Sequence, residues 1–232
     1  MQHRRLEPGF LVLLGLFALA TTSSVEAQSS SSSSSSSTKH SQKADKPNVL
    51  DLGSVNAGVY RNKALGLTCT VPPGWVLRTE EMNSRDSEAS PPGRQEPENG
   101  RDGKVLLAAF SRPPEAKGAD INSSILIAAE PVNAYPGLND PAQYFEPLTE
   151  VAKAQGFNPD EEPYEILIGS KALVRADFHK DVGSRVMRQS TVAFLAHNYI
   201  VSVTVIGGTE DELDDLLNGL EFAESAHAKT PK

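Results

Sequence analysis

The sequence predicts an α+β domain built on an antiparallel sheet of about six strands flanked by helices, and three observations predict it. Four strand patterns crowd residues 164–206 with only short polar gaps between them, whereas parallel neighbours would need crossovers of about a dozen residues or more. Two aliphatic runs, residues 104–110 and 124–130, have Pro and Gly in their flanks and read as central strands. Two amphipathic helix patterns, beginning at Asp140 and at Thr209, supply cover for the faces of such a sheet.

The chain opens on His3, Arg4 and Arg5, runs through an apolar stretch over residues 10–20, and reaches Val25-Glu26-Ala27 before Gln28. A basic start, a short apolar core and small residues at the cut are the pattern of a signal peptide, here residues 1–27 with cleavage after Ala27. The apolar stretch is shorter than the roughly 20 residues that a membrane span requires. No later stretch is apolar enough for one, so the expectation is a periplasmic or secreted protein with no integral membrane segment after cleavage.

Nine consecutive serines follow at residues 29–37, then Thr-Lys-His-Ser-Gln-Lys-Ala-Asp-Lys-Pro. Such a stretch has no apolar surface to offset its chain entropy, so residues 28–47 read as a disordered Ser-rich tether. It serves equally as a spacer or as a site for glycans. The net charge of −8 is unchanged by cleavage, because the leader carries Arg4, Arg5, Glu7 and Glu26. An acidic chain is not drawn to nucleic acid or anionic lipid.

The domain is expected over residues 48–224. It starts with short strands at 58–61 and 65–71 and a rigid Pro72-Pro73-Gly74-Trp75 turn. The lone cysteine, Cys69, shares the apolar side of its strand with Leu65, Leu67 and Val71. It can form no intramolecular disulfide and reads as a small buried hydrophobe. Residues 80–103 hold Met82 as their only large apolar side chain and read as a disordered loop.

After the central strands, Asp140 caps a helix with Pro141 at its first position; Tyr144, Phe145, Leu148, Val151 and Ala152 share one face, Gly156 ends it, and Pro147 should kink or break it. Strands follow at 164–168, 172–178, 185–194 and 199–206, joined as antiparallel hairpins. Thr209 and Glu212 then form a capping box for a last helix carrying Leu213, Leu216 and Leu217, and residues 225–232 read as a disordered tail.

The candidate chemistry is sparse. Asp177, His179 and Asp181 alternate on one strand, and two carboxylates with an imidazole on one face could hold zinc or manganese. Val174, Ala176 and Phe178 alternate on the other side, so the polar residues also lie simply where an antiparallel sheet meets water. No G-x-S-x-G elbow, G-x-G-x-x-G, Walker A, C-x-x-C or H-E-x-x-H occurs. Gly207-Gly208 before the last helix could hold an anion, but Glu210, Asp211 and Glu212 already occupy that end. Trp75, Tyr60 and Tyr135 are candidates for a contact cluster, since Trp and Tyr concentrate in binding patches.

Two segments, Tyr60-Arg-Asn-Lys-Ala-Leu-Gly-Leu-Thr-Cys-Thr-Val-Pro-Pro-Gly-Trp75 and Arg188-Gln-Ser-Thr-Val-Ala-Phe-Leu-Ala-His-Asn-Tyr-Ile-Val-Ser-Val-Thr-Val205 with the Thr209 helix and Leu220-Glu-Phe222, together resemble the PsbP-like and Mog-like domain family. The resemblance implies an α/β/α sandwich that serves binding or assembly and not catalysis. It carries no catalytic, cofactor or metal residue onto this chain, and none is expected. The functional reading is an exported, non-catalytic binding or assembly module whose partner is a protein of the cell envelope; the alternative is a small secreted metal-dependent hydrolase using Asp177, His179 and Asp181. The leader pattern makes the first prediction: exported protein begins at Gln28, and intact-mass analysis that finds residues 1–27 still attached overturns it.

Overall fold

The computed structural model describes residues 50–88, 103–118 and 120–223. The leader, the Ser-rich tether, residues 89–102 and the tail lie outside the described residues. In chain order the strands are β1 (Ser54–Asn56), β2 (Val59–Asn62), β3 (Leu67–Thr70), β4 (Val76–Leu77), β5 (Lys104–Phe110), β6 (Ser124–Pro131), β7 (Asn158–Pro159), β8 (Tyr164–Ile168), β9 (Lys171–Val182), β10 (Arg185–Ala196), β11 (Tyr199–Gly207) and β12 (Leu220–Phe222). The α-helices are α1 (Thr79–Glu88), α2 (Phe145–Ala154) and α3 (Glu210–Asn218), with 3-10 turns at Val132–Ala134 and Pro141–Tyr144.

All pairings are antiparallel, as the short gaps predict. The main sheet runs β4-β5-β6-β11-β10-β9-β7, with β8 also on β9, and β1-β2-β3-β12 form a separate small sheet. The main sheet thus has eight strands where about six were expected. Six of its strands are long; the two extra ones, β4 and β7, have two residues each and are too short to leave a period-two signal. The β10–β11 register is set by a two-residue turn, His197-Asn198, with φ of 49° and 66°. That left-handed pair is the twist a tight hairpin needs.

Both faces of the main sheet are buried along its central strands, and this dictates what is laid on them. On one face Leu107, Ile125, Ile127, Val192, Phe194, Val201, Val203 and Val205 meet Tyr60, Leu67 and Cys69 of the small sheet and Leu213, Leu216 and Leu217 of α3. On the other, Val174, Ala176, Phe178, Ala193 and Ile200 meet Tyr144, Phe145, Leu148, Ala152 and Phe157, and Val105, Ala108 and Phe110 meet Met82 of α1. Consecutive residues such as Val192 and Ala193 therefore enter different cores. Each large side chain so buried contributes about 1.5–3 kcal/mol.

Two helices depart from the sequence reading. Residues 79–88 form α1 where a loop was expected from Glu80, because β5 lies near the sheet edge and β4 pairs only its last two residues, Ala109 and Phe110. Further along, Arg78 N–H donates to the Ala108 carbonyl at 2.9 Å, Ala108 N–H donates to Thr79 Oγ1 at 2.9 Å, and the Asn83 amide bonds both the N–H and the carbonyl of Val105 at 3.0 and 2.9 Å. Polar groups, with Met82 as the apolar anchor, thus stand in for a missing strand. The helix over residues 140–156 begins as a 3-10 turn and becomes α-helical at Phe145, so the break falls before Pro147. In the first turn of α2, Pro147 forfeits no intrahelical hydrogen bond, and Gly156, with φ of 86°, ends the element.

Replacing Asn83 with Ala leaves both backbone groups of Val105, which is 1% exposed, without partners, and should cost about 1–3 kcal/mol in denaturant unfolding. A variant as stable as the parent shows that α1 does not protect this edge. Cys69 is completely buried, and burial pushes its thiol up to about 12, so labelling by a thiol reagent should be slow in the native protein and fast in denaturant. Rapid stoichiometric native labelling contradicts this.

Candidate functional site

The alternation of β9 does place Arg175, Asp177, His179 and Asp181 on one face, but it does not bring them together as ligands. Arg175 Nε lies 3.0 Å from both Asp177 oxygens, and Tyr164 on β8 donates to the same carboxylate at 2.7 Å. Arg175 Nη1 reaches Asp214 of α3 at 2.9 Å. Desolvation lowers the Arg175 pKa, but hydrogen bonds and charge from Asp177 and Asp214 more than reverse this and hold it above the usual arginine value. Burial, with the bond to Asp177, pushes the Tyr164 phenol up. His179 Nδ1 is hydrogen-bonded to Asp160 just past β7, and Asp181 is exposed.

Among the described residues, no three His, Cys, Asp or Glu side chains are grouped so that they could hold a metal ion. Asp177 is already satisfied by a guanidinium and a phenol, so the face is an ion-pair surface that docks α3. The Ser190 hydroxyl beside Asp177, on the paired position of β10, is fully buried and has no partner among the described atoms.

The start of α3 explains the glycine pair. Thr209 Oγ1 accepts from Glu212 N–H at 3.2 Å, as expected of a cap. The Glu212 carboxylate returns to Gly208 N–H at 2.8 Å and also accepts from the Ser123 hydroxyl. A Cβ at Gly207 would lie 2.7 Å from that carboxylate. Gly207 therefore makes room for Glu212, and the anion position is filled by the chain's own side chain. The adjoining groove, about 860 Å³, is lined by Arg112, Arg185 and Arg188 among others. Arg185 pairs with Asp120 at 3.4 Å and Arg188 with Glu210 at 3.0 Å.

Trp75, Tyr60 and Tyr135 do not form one cluster. Tyr60 is 1% exposed and donates to the Leu52 carbonyl at 3.0 Å. Burial raises its phenol to about 12. Trp75 packs, partly buried, against that same core, whereas Tyr135 belongs to the core beneath α2. Near Trp75, Leu77 on the short β4 edge is 45% exposed; Leu52, Leu167 and Val182 are the other large apolar side chains exposed among the described residues.

A site that sequence reasoning missed lies at the end of β6. Glu130 is 6% exposed and accepts from the Tyr135 and Tyr144 hydroxyls, each at 2.6 Å. The two rings meet edge-on with centroids 5.4 Å apart. Desolvation raises the Glu130 pKa, and the two phenol bonds only partly oppose it. Burial likewise pushes both phenols upward. A signal was present in the sequence: Glu130 occupies the same alternate position as the inward-facing Ala128.

An α+β fold, an antiparallel sheet with helices on both faces, is thus the class of molecule. No family model matches the chain, and no curated protein matches it by sequence. Solved structures similar to it include those of the family its terminal segments resemble. The solution structure of cyanobacterial PsbP (CyanoP) from Synechocystis sp. PCC 6803 is 14% identical, with 74% of this chain and 99% of that one covered and a TM-score of 0.41. The Ran-binding protein Mog1p of Saccharomyces cerevisiae is 11% identical, with 68% and 90% covered and a TM-score of 0.36. LpqN of Mycobacterium tuberculosis, described as involved in cell envelope biogenesis, is 13% identical, with 66% and 76% covered and a TM-score of 0.32.

Proposed function

We propose that this chain is an exported, non-catalytic binding or assembly module that meets a protein of the cell envelope on its Ser-rich tether. The observation that carries the reading is the contrast between its polar and apolar surfaces. Asp177 and His179, the residues best suited to chemistry, are engaged by Arg175, Tyr164 and Asp160. The edge at β4 instead presents Leu77, two residues from a Trp75 packed against the core. Apolar and aromatic groups carried on a firm scaffold are the usual material of a contact patch. Export rests on the leader pattern of residues 1–27, and the net charge of −8 argues against nucleic acid as the partner.

Two variants of the full chain separate this reading from the hydrolase alternative. Leu77→Asp places a charge on the exposed edge and should reduce capture of the envelope partner at least tenfold, roughly the effect of one lost contact residue worth 1.4 kcal/mol. The variant Asp177→Asn, His179→Ala, Asp181→Ala should leave capture unchanged. The proposal fails if capture survives Leu77→Asp, or if bound metal and a hydrolytic activity are present in the parent and vanish in the triple variant.

A further inference from the structure

The carboxylate of Glu130 is buried where nothing in the proposed binding function uses it. It closes β6, and the chain leaving it makes the 3-10 turn at Val132–Ala134, passes Tyr135, and reaches the second 3-10 turn and α2. Tyr135 and Tyr144 lie at either end of that connector, and both hydroxyls return to the two oxygens of the one carboxylate. Tyr144 also enters the core beneath α2 with Phe145 and Leu148. The connector and helix are therefore tied to the sheet at a single buried acid.

The groups bearing on that acid are few. From the connector come Tyr135 and Tyr144, and from β11 the Ser202 side chain, which hydrogen-bonds Tyr144; Ile200 is the cross-strand neighbour of Glu130. Among the described residues no lysine, arginine or histidine pairs with Glu130. An ionised carboxylate there has two hydrogen bonds and no counter-ion, in a site with little water, and such a charge is costly.

We propose that Glu130 and its two phenols form a proton-operated latch that holds the connector and α2 on the sheet, tight when the carboxyl is protonated and looser when it is ionised. The protonated acid can donate to one phenol oxygen and accept from the other phenol, so both ties survive protonation, and the proton is exchanged with water. Burial raises the pKa of the latched acid above its value when the segment is lifted and hydrated. Latching is therefore strongest below the ordinary carboxylate pKa and weakens as pH rises through the raised one. Lifting α2 also parts a groove of about 650 Å³, whose walls are Glu146, Thr149 and Glu150 on the helix and Pro159, Glu161 and Glu162 opposite.

Amide hydrogen exchange on the full chain tests this, with protection of residues 145–154 expressed relative to the β10–β11 hairpin so that the intrinsic effect of pH cancels. As pH rises above the ordinary carboxylate range the relative protection of the parent should fall, by roughly tenfold for each unit that burial displaces the acid. The same ratio in Glu130→Gln should be flat. Tyr135→Phe removes one donor to the ionised form and should move the midpoint to higher pH, which keeps the test decisive if the Gln variant does not fold. A flat ratio in the parent, a parallel fall in Glu130→Gln, or an unmoved midpoint in Tyr135→Phe overturns the latch.

Discussion

Water is excluded from both faces of the central strands of the main sheet, and the rest of the molecule follows from that exclusion. Strands such as β11, whose residues 200–207 are all buried, cannot keep one face polar, so each face needs a cover of its own. The small sheet and α3 close one side; the 3-10 turn with α2, and α1, close the other. The covering elements are short, and helices of nine or ten residues are marginal by themselves. Their stability comes from the sheet they lie on, just as the sheet's apolar surface is buried only because they lie there.

The edge of the sheet imposes a second constraint. β5 has side chains suited to the middle of a sheet, yet only β6 and the brief β4 pair with it. Unpaired strand edges recruit other strands. Thr79, Asn83 and the backbone at Arg78 meet that danger by supplying donors and acceptors from a helix terminus and a side-chain amide. This makes α1 a polar element with an apolar anchor, which is why it has the composition of a loop.

That composition also marks where the sequence was legible. The hairpins from Tyr164 onward were readable because alternation, spacing and the His197-Asn198 turn all pointed the same way, and α3 because a Thr cap preceded a leucine stripe. α1 was illegible, since its pattern answers to the partner groups of Val105 and Ala108, 22 and 29 residues away in sequence, and no local rule contains them. Asp177, His179 and Asp181 do alternate on one face of β9, but the engagement of Asp177 and His179 depends on Tyr164 and Asp160, which only folding brings near. Glu130 escaped notice because a carboxylate at the end of an apolar run normally marks the exit to water. Tyr135 and Tyr144, its partners, read as a surface aromatic and a core aromatic.

The placement of α3 joins these threads. Its leucines fix which face turns inward, but an apolar stripe alone tolerates small slides along the strands. Glu210 and Asp214, one turn apart on the helix, meet Arg188 on β10 and Arg175 on β9. Pairs this exposed contribute little stability, about 0–1 kcal/mol each, so their consequence is register. Asp177 holds the Nε edge of Arg175 while its Nη1 meets Asp214, and Tyr164 in turn donates to Asp177. Asp177 is committed to orienting Arg175. The strand that looked most like a site is thus occupied in seating the last helix, and that requirement, coming from the buried face beneath it, decides what β9 can do.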